Sequence, residues 1–150
     1  MRLALAAATL LSTALSAAAS LGAQEATPSD PDARIYFIAP RDGDTVSSPV
    51  TVVFGLSGMG VAPAGMEMEN TGHHHLLIDR PPLGAGEAGA EELRQGLPAD
   101  GHHMHFGGGQ TEVALELAPG EHSLQLVLGD AGHVPHDPPV TSEVITITVE

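Results

Sequence analysis

The residues best placed to do chemistry are histidines. There are nine in 150 residues, and none lies before residue 73. They form His73, His74 and His75 in one run, then His102, His103 and His105 around Met104, then His122 alone, then His133 and His136 in the string GHVPH. On a β-strand, residues i and i+2 point the same way, about 7 Å apart. His73 and His75 therefore share a face, and so do His103 and His105. An H-x-H pair on a strand can chelate one ion, because both rings can lean to a common point about 2 Å from each nitrogen. Two such pairs on adjacent or facing strands make a four-nitrogen site. His133 and His136 lie in a Gly/Pro loop of the kind that sets an imidazole over the end of a sheet. The candidate metal ligands are thus His73, His75, His103, His105, His133 and His136. Asp79, Asp130 and Asp137 are carboxylates able to ligate or to fix a histidine tautomer from behind.

The ion these donors suit is copper or zinc. Imidazole accepts both, and a four-histidine tetrahedral site fits zinc well. Thioether sulfur tips the balance toward copper as Cu(I). Met59, Met66 and Met68 precede the first histidine run, and Met104 lies inside the second. Bland readings stand beside these. A lone histidine such as His122 is ordinarily a satisfied surface residue, and methionine commonly fills gaps in a core. Nine imidazoles charging together near pH 6 would also make a pH sensor.

Composition narrows the alternatives. Five basic residues stand against nineteen acidic ones, for a formal charge of −14. That balance opposes nucleic-acid binding, which needs Lys and Arg to neutralise phosphates. It equally opposes a basic patch for anionic lipid. The absence of Cys excludes disulfides, thiolate metal sites, cysteine nucleophiles and blue-copper centres. No H-E-x-x-H or G-x-S-x-G string is present, so a zincin protease or a serine hydrolase of that type is not indicated.

The segments that must position the histidines follow. Residues 1–23 begin Met-Arg and continue as an uncharged Ala/Leu stretch with small residues at its end, the pattern of a cleaved secretory signal peptide. Residues 24–32 read as a flexible, Pro-containing lead-in. Residues 33–150 read as one domain of short strands, near 33–39, 50–57, 74–79, 102–106, 110–117, 122–128 and 140–149, with one or two helical turns around 90–97. Val50, Val52, Phe54 and Leu56 share a face, as do Leu124, Leu126 and Leu128. His74 falls in phase with Leu76 and Ile78, and His102 with Met104 and Phe106; either these histidines face the core or their strand ends are irregular. About seven strands and almost no helix predict an all-β fold, an immunoglobulin-like antiparallel β-sandwich. The glycines at 107–109 read as a tight turn that holds His105 in place.

Three strings, NTGHHHLLID at 70–79, LPADGHHMHFGGGQTE at 97–112 and PGEHSLQLVLGDAGHVPHDPPV at 119–140, carry a family resemblance. They resemble a family of small exported bacterial proteins described as a domain of unknown function. The segment 39–65 is similar to it too. The resemblance implies a compact, exported, largely β domain without an assigned activity. The positions matching its histidine-bearing motifs are His73, His74, His75, His103, His105, His122, His133 and His136. His102, Met66 and Met68 fall outside them.

The sequence supports an exported, periplasmic or secreted metal-binding domain that buffers or delivers copper or zinc. No stable membrane insertion is expected after signal cleavage, and the expected partners are the metal ion and a periplasmic protein. A copper enzyme acting on superoxide is the catalytic alternative, since H-x-H ligands on a strand are similar to those of superoxide dismutases. The strongly negative field and the scarcity of cations oppose it. A non-metal interaction domain with a histidine-rich edge is the third reading. Convergence of the clusters separates the metal readings from the third.

Overall fold

The computed structural model describes residues 26–150; the expected signal peptide lies outside the described residues. The strands are β1 (Arg34–Ala39), β2 (Thr45–Val46), β3 (Val50–Ser57), β4 (Gly60–Val61), β5 (Thr71–Ile78), β6 (His103–His105), β7 (Glu112–Leu115), β8 (Gly120–Gly129) and β9 (Ile145–Val149). One helix, α1 (Gly86–Glu92), interrupts them between β5 and β6. It lies earlier than the turns expected at 90–97. No helix among the described residues is long and apolar enough to cross a membrane.

Two sheets form the fold. The smaller has the order β1-β3-β7, all antiparallel. The larger runs β2-β9-β8-β5, and the far edge of β5 is shared by β4 and β6. The two short strands β2 and β4 pair in parallel; the long pairs β8–β9 and β5–β8 are antiparallel. Period-2 alternation supplies the core between the sheets. Ile35, Val52 and Phe54 of the smaller sheet meet Leu76, Leu124, Leu126, Leu128 and Ile147 of the larger one. The architecture is all-β and sandwich-like, as the alternation predicts.

The larger sheet is also covered on its outer face over β5 and the adjoining half of β8, and this the alternation did not announce. The chain between β5 and β6 folds back over that face. Leu83 and Leu97 from this excursion pack on Leu77 of β5 and Val127 of β8, forming a second small core. Gln125, on the same outer face, accepts a hydrogen bond from the Leu83 backbone N–H at 2.9 Å and pins the excursion down. Through Leu83 and Leu97 the chain between β5 and β6 is therefore a cover for this part of the sheet. Residues 27–29, within the expected lead-in, also bond to the body. Ser29 N–H donates to the Asp137 carbonyl at 3.2 Å, and Asp137 N–H to that of Thr27 at 3.0 Å.

Strand ends differ from expectation at two places that matter for function. β5 begins at Thr71, three residues before the expected start, so all three consecutive histidines are strand residues. β9 begins at Ile145, and residues 140–144 form only an isolated bridge from Thr141 to Val127. Residues 140–142 instead run beside β8, with the Leu128 N–H donating to the Val140 carbonyl at 3.0 Å and the Ser142 N–H to that of Leu126 at 2.9 Å.

Candidate metal centre

Alternation on β5 divides its histidines. His74 points inward with Leu76 and Ile78, and its ring lies 5.2 Å from that of Phe54. His73 and His75 point outward, toward the covered face. Across from His75 on one side is His105 of β6, and across from His73 on the other is Gly129 of β8. Opposite residues in an antiparallel pair project to the same face, so His105 joins His73 and His75 directly.

Gly129 makes room for the fourth ring. A Cβ placed on it would stand 2.7 Å from His75 Nε2 and 3.5 Å from His133 Cα. The chain after β8 turns back over this gap and brings His133 into it. Asp130 organises the turn. Its Oδ1 accepts the N–H groups of Gly132 at 2.8 Å and Val134 at 2.9 Å, and its Oδ2 accepts the Thr27 hydroxyl at 2.8 Å. His133 itself sits at φ 67°, in the left-handed region. The Leu97 N–H donates to the His133 carbonyl at 2.9 Å and ties the covering excursion to the same turn.

One ligand nitrogen from each of His73, His75, His105 and His133 lies within 4.8 Å of all the others. His73 Nε2 is 3.0 Å from His75 Nε2 and 3.1 Å from His133 Nδ1. An imidazole nitrogen has one in-plane position, holding either a proton or a lone pair. His73 Nε2 therefore cannot make good hydrogen bonds to two other ring nitrogens together. A cation at the centre accepts all the lone pairs at once. Tetrahedral coordination at 2.0–2.1 Å requires nitrogens about 3.3 Å apart, close to the two short separations here.

The electrostatics suit metal binding over proton binding. Burial pushes His73 down to about 4, helped by His105 and His133 and opposed by Asp130. His75 is pushed down to about 2, first by burial and then by His73, His105 and His133. His105, the solvent-exposed member, is lowered by burial of its ring edge and by His133. Near neutral pH His73 and His75 are thus uncharged, and each offers a lone pair to an ion.

Two of the six expected ligands stand elsewhere. His103 shares the face of His105 but lies one step further along, opposite Leu77. It contacts Arg80, which pairs with Glu92 at 2.7 Å, and its Nδ1 is 3.3 Å from Asp100 Oδ1. His136 is buried behind β5, with its nitrogens 3.3 Å from the Leu128 and Thr71 carbonyls. A fixed two-residue step of nearly 7 Å keeps His103 away from an ion held by His105. Of the carboxylates, Asp79 holds His122 Nδ1 at 2.7 Å, and the Ala118 carbonyl accepts from its Nε2 at 2.8 Å. Those contacts raise the His122 pKa, the carbonyl contributing most and Asp79 next. Asp137 serves through its backbone, whereas Asp130 has the positioning role.

A family model described as a domain of unknown function (DUF4399) matches residues 52–150. The chain belongs to the DUF4399 family. No curated protein and no solved structure gives a significant match to the chain. The DUF4399 match begins within β3 and spans every histidine, including the four that converge.

What sequence reasoning missed in this DUF4399 domain are the residues without donor atoms. Gly129 is the one that matters, defined by the His75 ring that approaches it; Gly107 lies in the turn expected to hold His105, and a Cβ on it would stand 2.4 Å from His105 Cε1. The available signal was a glycine closing an alternating strand, immediately before a histidine loop. Gly129→Ala is expected to displace His75 and abolish stoichiometric metal retention. Its overpacking cost is about 1–3 kcal/mol. Equilibrium denaturation alongside metal analysis checks both, and retention of a full equivalent would contradict the close approach. Asp130→Ala leaves two N–H groups of the turn unpaired and is expected to cost about 2–4 kcal/mol. It should weaken metal binding about 10–100-fold through His133. Asp130→Asn, which keeps the acceptor oxygen, should recover most of both losses in the same titration.

Proposed function

We propose that this protein binds one transition-metal ion, copper in preference to zinc, through His73, His75, His105 and His133. It would serve as a buffering or delivery module in the bacterial periplasm. The observation that carries this reading is the convergence of four ring nitrogens, three of them at spacings no set of hydrogen bonds satisfies. Four imidazoles complete a tetrahedral shell, the arrangement of sites that hold an ion, whereas catalytic sites keep a position open. The periplasmic assignment rests on the signal-like residues 1–23, and the preference for copper on the neighbouring thioethers.

The test is metal content after reloading the metal-free protein with Cu(II), Cu(I) or Zn(II) and desalting it. One equivalent of Cu(II) or Zn(II) is expected to be retained and to be lost in His73→Gln/His105→Gln; with Cu(I), one equivalent is expected to depend on those histidines. His103→Gln and His136→Gln, outside the cluster, should each keep it. No retention of any ion by the unaltered protein would sink the reading.

A further inference from the structure

We propose that the cleft beside the histidine cluster is a second, soft-metal site, in which the thioethers of Met66 and Met68 bind Cu(I) and pass it to the histidines. The second step rests on the function proposed above; the first does not.

The cleft has a volume of about 480 Å³ and lies between the segment 65–69 and the turn 130–132. Met66 and Met68 both line it and are 47% and 56% exposed. Their counterparts Met59 and Met104 pack against the main core, as methionine ordinarily does. Met66 and Met68 thus leave about half of their apolar surface unburied. Packing does not explain them, and a ligand for sulfur does. In a chain without Cys, thioethers are the softest donors available, and soft donors select Cu(I). Glu67 and Glu69 line the same cleft, and the negative potential they add concentrates cations there.

Its placement is what suggests transfer. The methionine segment is stitched to the chain beside the two cluster members that reach solvent. Gly65 N–H donates to the Ala131 carbonyl at 2.9 Å, two residues before His133. Ala64 N–H donates to the Gly107 carbonyl at 2.9 Å, two residues after His105. His73 and His75, in contrast, are fully buried. An ion reaching the cluster arrives by the side on which His105 and His133 are open, next to the cleft. Transfer is a ligand exchange: sulfur–copper bonds are released as nitrogen–copper bonds form, with copper remaining Cu(I).

The experiment is an anaerobic Cu(I) titration against a chromophoric chelator, with X-ray absorption at the copper edge and a parallel Zn(II) titration. The unaltered protein should take two equivalents of Cu(I), with sulfur scattering, and one of Zn(II). Met66→Leu/Met68→Leu, an exposed and volume-conserving change, should lose one Cu(I) equivalent and all sulfur scattering while keeping its Zn(II). In stopped flow it should also load the histidines more slowly; an unchanged loading rate would overturn the transfer step. A single equivalent with nitrogen-only scattering in the unaltered protein, or two equivalents in the double variant, would overturn the thioether site. Loss of Zn(II) binding with methionine-dependent Cu(I) binding intact would refute the histidine centre and leave the thioether site standing.

Discussion

Free metal at a thousandfold excess over its Kd should raise the melting temperature by about 10 °C, and His75→Gln should abolish that gain. A ligand that binds only the folded state at a thousandfold excess over its Kd contributes about 4 kcal/mol, and a chain of this size gains roughly 2–4 °C per kcal/mol. His75 is the most informative position because it is fully buried and neighbours His73, His105 and His133. Its loss removes a direct ligand, so affinity should fall by more than the 10–100-fold typical of residues that only orient a ligand. Gln keeps polarity and approximate bulk, and the metal-free variant should melt within a few degrees of the unaltered protein. Differential scanning calorimetry with and without metal reads both. A metal-induced shift that survives in His75→Gln would place the ion elsewhere.

The metal-free protein should lose stability steeply as pH falls from about 6.5 to about 4. His73 and His74 are pushed down to about 4 and His75 to about 2, all from an ordinary value of 6.5. Through that window the unfolded chain binds protons that the folded chain refuses, so stability falls with pH. The stabilisation is intact above 6.5 and is lost progressively as each folded value is approached. Down to pH 4 each displacement corresponds to at most about 3 kcal/mol, less where solvent screens the ring, and the parts that His73 and His75 owe to each other are shared, yet the loss is still large against marginal stability. His122, whose pKa is raised, runs the other way: its contribution is present below 6.5 and fades as pH rises through its folded value. Bound metal should shift the acid transition downward, because the ion withholds the lone pairs from protons.

His74 isolates the folding part of this effect from metal binding. Burial against Phe54 lowers its pKa, and neither ring nitrogen has a hydrogen-bond partner. The nearby Gln110 backbone opposes the shift without making a well-formed hydrogen bond. An unsatisfied buried group costs about 1–3 kcal/mol. His74→Leu should therefore stabilise the protein by about that amount, flatten its acid melting profile and leave metal retention unchanged. Destabilisation by 2 kcal/mol or more would show that His74 makes interactions beyond packing.

Which parts were legible in sequence follows from the range of the interactions involved. Period-2 alternation is local, so the all-β fold and the shared face of His73 and His75 could be read from residue order, and the inward turn of His74 was one of two readings it left open. The same rule made His103 and His105 a pair, and it has no means of showing where along β5 that pair docks. Register decided it: His105 opposite His75 puts His103 opposite Leu77, beside Arg80 and Asp100. His133 and His136 looked equivalent in one loop. The Asp130 turn and the empty side of Gly129 admit His133 alone.

The sequence by itself determined the donor chemistry: imidazoles and thioethers without thiolates, arranged on alternating strands in an acidic chain. Tertiary structure alone decided which four imidazoles meet, that the outer face of the sheet is covered, and that two methionines remain in solvent beside the cluster. The physical reason is that strand pairing and loop closure join residues 60 positions apart, as His73 and His133 are. No local period encodes such a contact; it depends on a register and a glycine vacancy that exist only once the chain has folded.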